Sequence, residues 1–441
     1  MNLTPTGDAT MRFIVAALGA VLFLFVNSPA AEWQITQLDN GLKVMILESH
    51  QVPQVNISTT VKVGAKNESD FFDGATHFLD HLILFRGTEV MTGDELAAAM
   101  KKHGAYFNGY TSSDWTDFVI TLPKENAEFA VKIHADMLFH SNFPATEMDK
   151  EKQAVLEEIN ISEDDPFSKA YRSSIDKLYG SRHPYSKNVL GTKENVISFP
   201  RDSIYTYYKR YYAPNNMTTV IVGDIDAAKA LELVKKYFAG VPKGSVALDN
   251  YSPPPSRTKI DTIEIKKDIG QAYLLMMSIG PKADSPDQYA LDLMATVLGD
   301  GESSRLWKKV RDELGLVYSV GFSFGTSKYE GTVSASATLD PAKMPEVEKA
   351  INLVLAGAKT GGFTEEELRK AKNKIKTNHY ASLERGLDLA DKYAEYDSFI
   401  GHEFVDNYPA NIEKVTLAEL NAAAQKYINT DSYVKTMVVP K

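Results

Sequence analysis

Cysteine is absent from the 441 residues, which excludes disulfide scaffolds, thiolate metal sites and cysteine nucleophiles together. Any metal must then sit on His and carboxylate side chains. A surplus of positive charge is lacking too, since 48 Lys and Arg face 58 Asp and Glu, for a formal charge of -10. Polyanion binding needs clustered Lys and Arg. No such stripe is present, so no nucleic-acid partner is expected. Long apolar runs are equally scarce. The strong one spans 13–26, behind Arg12, and is followed by Ser28, Pro29, Ala30 and Ala31. It is shorter than the ~20 residues a membrane span needs, and the small residues after it suit cleavage. The pattern predicts a signal peptide over residues 1–31, an exported chain that is periplasmic or secreted, and no stable membrane span after processing.

What is present is apolar material for two cores, 44% of the chain, in a mixed order of helical and strand patterns. Residues 54–63 (QVNISTTVKV) and 118–122 (FVITL) alternate as strands, and a helix runs from Thr92 to about His103 between them. A long helical stretch is predicted from Thr146 toward Tyr179, and residues 217–222 (MTTVIV) read as a strand ending at Gly223. Around 241–257 the pattern stops, and Pro253, Pro254 and Pro255 mark a stiff connection. Beyond it the elements repeat. Residues 209–222 match 425–438, and 96–122 match 306–339. The expected fold is therefore α+β, with two similar duplicated domains, each a mostly antiparallel sheet packed with helices. The expected boundaries are 32–245, a linker at 246–258, and 259–441.

The chemistry concentrates in residues 73–87 (DGATHFLDHLILFRG). His77 and His81 are four apart, so on a helix their imidazoles stack on one face and can reach a single ion. On spacing alone the pair equally fits a helix with two ordinary histidines. Its surroundings, Phe78, Leu79, Leu82, Ile83 and Phe85, predict a buried helix, and buried charge such as Asp80 is costly unless paired or coordinated. A carboxylate on a second helix is the expected third ligand. Glu151, Ala154, Val155 and Glu158 fall at i, i+3, i+4 and i+7, one stripe, although a solvated acidic face has the same pattern. Imidazole with carboxylate and no thiolate favours zinc, one ion per chain.

The stretch GATHFLDHLILFRGTE resembles the zinc helix of the pitrilysin and insulinase family, the M16 metallopeptidases, whose motif is H-x-x-E-H. The family's third ligand follows a little over seventy residues later in an E-x6-E pattern, which Glu151 and Glu158 match. The resemblance implies that His77, His81 and Glu158 bind the metal and that Glu151 orients a ligand histidine. Asp80 stands where the family has Glu; the resemblance gives this carboxylate the role of general base, one methylene short. Residues 106–111 (YFNGYT) resemble the family's substrate edge strand, which implies that peptides add beside Asn108, Gly109 and Tyr110. Residues 311–318 (RDELGLVY) resemble its substrate-holding pair, Arg311 and Tyr318.

The implied activity is zinc-dependent endopeptidase or oligopeptidase cleavage of extended peptides. One chain carries two of the four domains of the family's chambers, which implies a homodimer or a heterodimer with a related chain. Two alternatives accompany this reading. One is a weak or inactive subunit, because of Asp80, that binds peptides or supports an active partner. The other is an exported metal-binding protein without hydrolytic role.

Overall fold

The computed structural model describes residues 32–69, 72–246 and 251–441. The signal-peptide reading of residues 1–31 lies outside them. No helix among the described residues is long and apolar enough to cross a membrane.

Six strands build the first sheet: β1 (Gln34–Gln37), β2 (Lys43–Glu48), β3 (Gln54–Val61), β4 (Tyr106–Thr111), β5 (Thr116–Pro123) and β6 (Met217–Gly223). Their spatial order is β1-β2-β6-β3-β5-β4, with only β2 and β6 parallel. The second sheet holds β7 (Asp261–Lys267), β8 (Ala272–Ile279), β9 (Val317–Gly325), β10 (Thr332–Leu339) and β11 (Val434–Pro440), in the order β7-β11-β8-β10-β9. Here β7 and β11 form the parallel pair. Leaving out β1, the strands of each sheet stand in the sequence rank 1-5-2-4-3, so the duplication legible in two short stretches is a duplication of topology.

Alternation explains the first sheet's two faces. On β3, Val55, Ile57 and Val61 enter the main core, while Asn56, Ser58 and Thr60 are buried on the opposite face. That polar face is covered by the helix Gly386–Phe399, which comes from the second half of the chain and packs on β3, β5 and β6. The reverse also holds. Helix α5 (Pro166–Tyr179), after α1 (Ala75–Phe85), α2 (Gly93–Lys102), α3 (Ala127–Phe139) and α4 (Ala145–Asp164), packs on β8 and β11 of the second sheet. Each half lends the other a helix, and residues Trp33–Lys441 form one compact unit.

One sequence expectation needs correction. The helical stretch toward Tyr179 is two helices, broken at Asp165. Pro166 has no N–H to continue the ladder, and the Asp165 carboxylate accepts from the Ser168 N–H at 2.6 Å, capping α5.

Candidate metal centre

Helix α1 starts at Gly74, whose φ of 93° is a left-handed conformation that suits glycine. A Cβ there would stand 2.5 Å from the Gly191 Cα. The first turn's free N–H groups are met by a side chain from upstream: Glu68 accepts from Gly74 N at 2.7 Å and from Thr76 N at 2.6 Å. Burial pushes the Glu68 carboxyl up to about 8, against the pull of these bonds. Phe78, Leu79, Leu82 and Ile83 are wholly buried, so α1 is a core helix. His77 and His81 lie along its partly open seam.

Helix α4 packs alongside α1. It brings Glu158 Oε2 to 3.4 Å from His77 Nε2 and 3.5 Å from His81 Nε2. The imidazole rings are edge-on, with centroids 4.7 Å apart. Seven residues earlier on the same helix, buried Glu151 meets His81 Nδ1 at 2.7 Å. A carboxylate can only accept here, so His81 Nδ1 carries a proton directed at Glu151. Between them in the expected stripe, Val155 is buried but Ala154 is exposed, so the stripe is narrower than its spacing suggests.

The distances from Glu158 Oε2 to the two imidazole nitrogens fit zinc. With Zn–N and Zn–O bonds of about 2.0–2.2 Å, tetrahedral ligand atoms stand about 3.4 Å from one another. Direct N–H to carboxylate hydrogen bonds are shorter, about 2.7–2.9 Å. Glu158 Oε2 thus stands from each imidazole Nε2 at the separation that two ligands of one ion adopt.

Asp80 faces the same point. It is buried, its Oδ1 lies 4.0 Å from His81 Nε2, and one ligand atom each of His77, Asp80 and His81 lie within 4.8 Å of one another. Its Oδ2 accepts from the Thr111 hydroxyl at the end of β4. Burial raises the Asp80 carboxyl, and the two imidazoles and Thr111 oppose the rise. Burial also lowers His77. In His81 burial pulls down, but bonds to Glu151 and Glu158 overcome it and lift the ring to about 10. The bond to His81 holds Glu158 below the usual carboxylate range.

Two supporting residues are missing from the sequence expectations. Arg86, just past α1, donates to Glu151 Oε2 from Nε and to Glu147 at 3.4 Å, so the carboxylate that holds His81 is itself held. Arg86 leaves a weak signal, a lone cation closing an apolar helix. Thr111 leaves none.

Asn108, Gly109 and Tyr110 lie on β4, an edge strand running beside α1. A Cβ on Gly109 would stand 2.7 Å from Leu84 Cδ1 of α1, so glycine permits the close approach. Arg311 and Tyr318 are elsewhere. Arg311 rides a π-helical turn, Trp307–Glu313, with its guanidinium 4.1 Å above the Trp307 ring. Tyr318, exposed, is the second residue of the second sheet's edge strand β9. Among the described residues neither is hydrogen-bonded or ion-paired to His77, His81 or Glu158.

Residues 43–193 match the family model described as insulinase, peptidase family M16, and residues 198–375 the one described as peptidase M16 inactive domain. The uncharacterized zinc protease YmxG of Bacillus subtilis is 28% identical over 402 residues, covering 91% of this chain and 97% of its own length. An uncharacterized zinc protease of Mycobacterium leprae is also 28% identical, with 89% of each chain covered. Among solved structures, a Helicobacter pylori protease superposes with a TM-score of 0.86 at 24% identity, over 93% of this chain and 100% of its own. The Escherichia coli periplasmic protease PqqL gives 0.76 at 22% identity, over 93% of this chain and 48% of PqqL. Shared two-sheet architecture, matches along most of its length and a histidine pair facing a distant glutamate identify this chain as a member of the M16, or insulinase, peptidase family.

Proposed function

We propose that this chain is a zinc-dependent endopeptidase or oligopeptidase that cleaves extended peptides. The observation that carries this reading is the 3.4 and 3.5 Å spacing of Glu158 Oε2 from the two imidazole Nε2 atoms. His77, His81 and Glu158 hold the zinc, which when bound supplies Lewis-acid polarisation of water and of a peptide carbonyl. Asp80 takes the proton from the attacking water. Thr111 keeps one Asp80 oxygen occupied and leaves Oδ1 for that proton. Glu151 fixes the tautomer of His81. The substrate backbone adds to the free edge of β4 at Asn108, Gly109 and Tyr110, which accepts extended chains in preference to folded ones.

Arg311 and Tyr318 complete the site from the other half of a second subunit, Tyr318 as a donor to developing negative charge and Arg311 as a grip on the substrate backbone. Their separation from the metal cluster within one chain supports a dimer, identical or related. So does the length of PqqL, roughly twice that matched here. Export, expected from the run at 13–26, is part of this reading, and it has a parallel in PqqL, which is a periplasmic protease.

The test is cleavage of an internally quenched peptide by protein of measured zinc content, comparing the native chain with His77→Ala and Asp80→Glu. Zinc-dependent cleavage lost in His77→Ala is expected. Zinc binding without hydrolysis, switched on by Asp80→Glu, points instead to a non-catalytic subunit. Zinc binding with no response to any peptide points to a metal-binding protein.

A further inference from the structure

Away from the metal centre, two carboxyl groups meet where the halves exchange helices. Asp117, on β5, is wholly buried on the polar face of the first sheet. Its Oδ1 accepts from Ser58 at 2.8 Å and from Thr60 at 2.7 Å. Its Oδ2 is buried with no donor, and so is Oδ1 of Asp391 on the helix Gly386–Phe399. The two side chains are within hydrogen-bonding reach of each other. Two carboxylates can only accept, so the contact is repulsive unless one is protonated. A single proton between them supplies the missing donor and cancels one of two desolvated charges.

The surroundings offer no other remedy. Neither Asp117 nor Asp391 has an ion-pair partner among the described residues. From β3 the pair sees only the Ser58 and Thr60 hydroxyls. From β4 it sees Tyr110, which is opposite Asp117 in the ladder and bonded in turn to Asn108 and Tyr106. On its own helix, Asp388 is paired with Arg385, Lys392 donates to Ser382, and Glu395 is itself raised by burial to about 7. Lys43 serves Asp397 farther along the helix. The helix lies close: a Cβ on Gly386 would stand 2.5 Å from Asn56 Nδ2.

We propose that Asp117 and Asp391 share one proton, and that this proton seats the helix Gly386–Phe399 against the back of β5, the strand paired with β4, making the pair a positioning element for the substrate strand. The link to substrate rests on the peptidase reading above; the shared proton does not. Asp117 and Tyr110 are cross-strand partners, and Tyr110 lies between Gly109 and Thr111, the residue bonded to Asp80. Losing the proton to solvent leaves two carboxylates in contact at a dry seam, which pushes the helix from the strand pair and loosens β4. Both carboxyls are raised by burial, Asp117 strongly, which agrees with a proton retained well above the ordinary carboxylate range.

The test uses the full chain and Asp117→Asn, whose amide keeps an acceptor for Ser58 and Thr60 and donates permanently to Asp391. The infrared carbonyl band of a protonated acid should be present at neutral pH in the native protein and weaker in Asp117→Asn and Asp391→Asn; identical spectra overturn the shared proton. KM for an extended peptide should rise about tenfold in the native protein from about pH 6 to pH 9, apart from any change in kcat, and stay flat in Asp117→Asn. Glu395→Gln should keep the native limb; if it flattens the limb instead, or if Asp117→Asn does not, the positioning role is overturned. Should the native protein cleave no peptide, amide exchange decides. In β4 and in the helix Gly386–Phe399 it should accelerate with pH beyond the chemical rate in native protein alone, and equal acceleration in Asp117→Asn overturns the proposal. If Asp117→Asn does not fold, Asp391→Asn offers the same donor from the other side.

Discussion

Glu151 meets His81 Nδ1 at 2.7 Å and thereby decides that Nε2 of the same ring is the atom facing Glu158. One carboxylate on α4 thus orients an imidazole that a second carboxylate on α4 faces, the arrangement the proposed zinc site needs. Replacing Glu151 with Gln should lower zinc affinity by about 10–100-fold while leaving the fold intact. Competition against a calibrated chelator measures it, and an unchanged affinity would remove Glu151 from the site.

Thr111 makes the hydroxyl contact to buried Asp80. Thr111→Val should leave zinc content unchanged and cut kcat by about tenfold or more, since a hydrogen bond to a charged group is worth about 1.5–3 kcal/mol. Thr111→Ser should recover most of the loss. Steady-state kinetics with zinc analysis on the same samples separates a base defect from a metal defect.

Glu68 gives a pH signature away from the ligands. Its folded carboxyl titrates near 8 because of burial, whereas an unfolded Glu titrates near 4.3. Between those values the folded state holds a proton the unfolded state has released, so stability falls as pH rises and the loss is complete above about 8. Thermal melts from about pH 5 to pH 8 should show this decline in the native protein and a shallower one in Glu68→Gln. Glu68→Ala, which leaves the Gly74 and Thr76 N–H groups without their acceptor, should lose about 1–2 kcal/mol throughout.

Subunit mixing tests the composite site. His77→Ala and Arg311→Ala should each be nearly inactive alone, and refolded mixtures should regain activity because some dimers then pair an intact metal centre with an intact Arg311 and Tyr318. Failure of every mixing ratio, with dimers demonstrated by sedimentation, would put Arg311 outside the site.

Much of the centre is visible in one dimension because helical geometry makes it so. His77 and His81 share a face by spacing, Glu151 and Glu158 do the same, and Asp80 is marked by its place in an apolar run. Thr111, Arg86 and Glu68 are not, because threonine in a strand, arginine after a helix and glutamate in a loop are ordinary residues until distant elements bring them to a partner. The break at Asp165 is readable from Pro166, although the helical pattern on either side runs through it. The exchanged helices α5 and Gly386–Phe399 carry no local signal, since an amphipathic pattern states that a face will be buried and not against which sheet.

Composition and spacing alone determined that no thiolate takes part, that the chain repeats an α+β unit, and that two helices each carry a paired set of metal-binding or acidic side chains. Only tertiary structure decided that those helices lie side by side, with one Glu158 oxygen about equally far from both imidazoles. It alone decided that Asp117 and Asp391 touch across the seam between halves. Periodicity encodes which side chains share a face, because backbone geometry repeats; which faces meet depends on packing between segments far apart in the chain, and no local pattern records that.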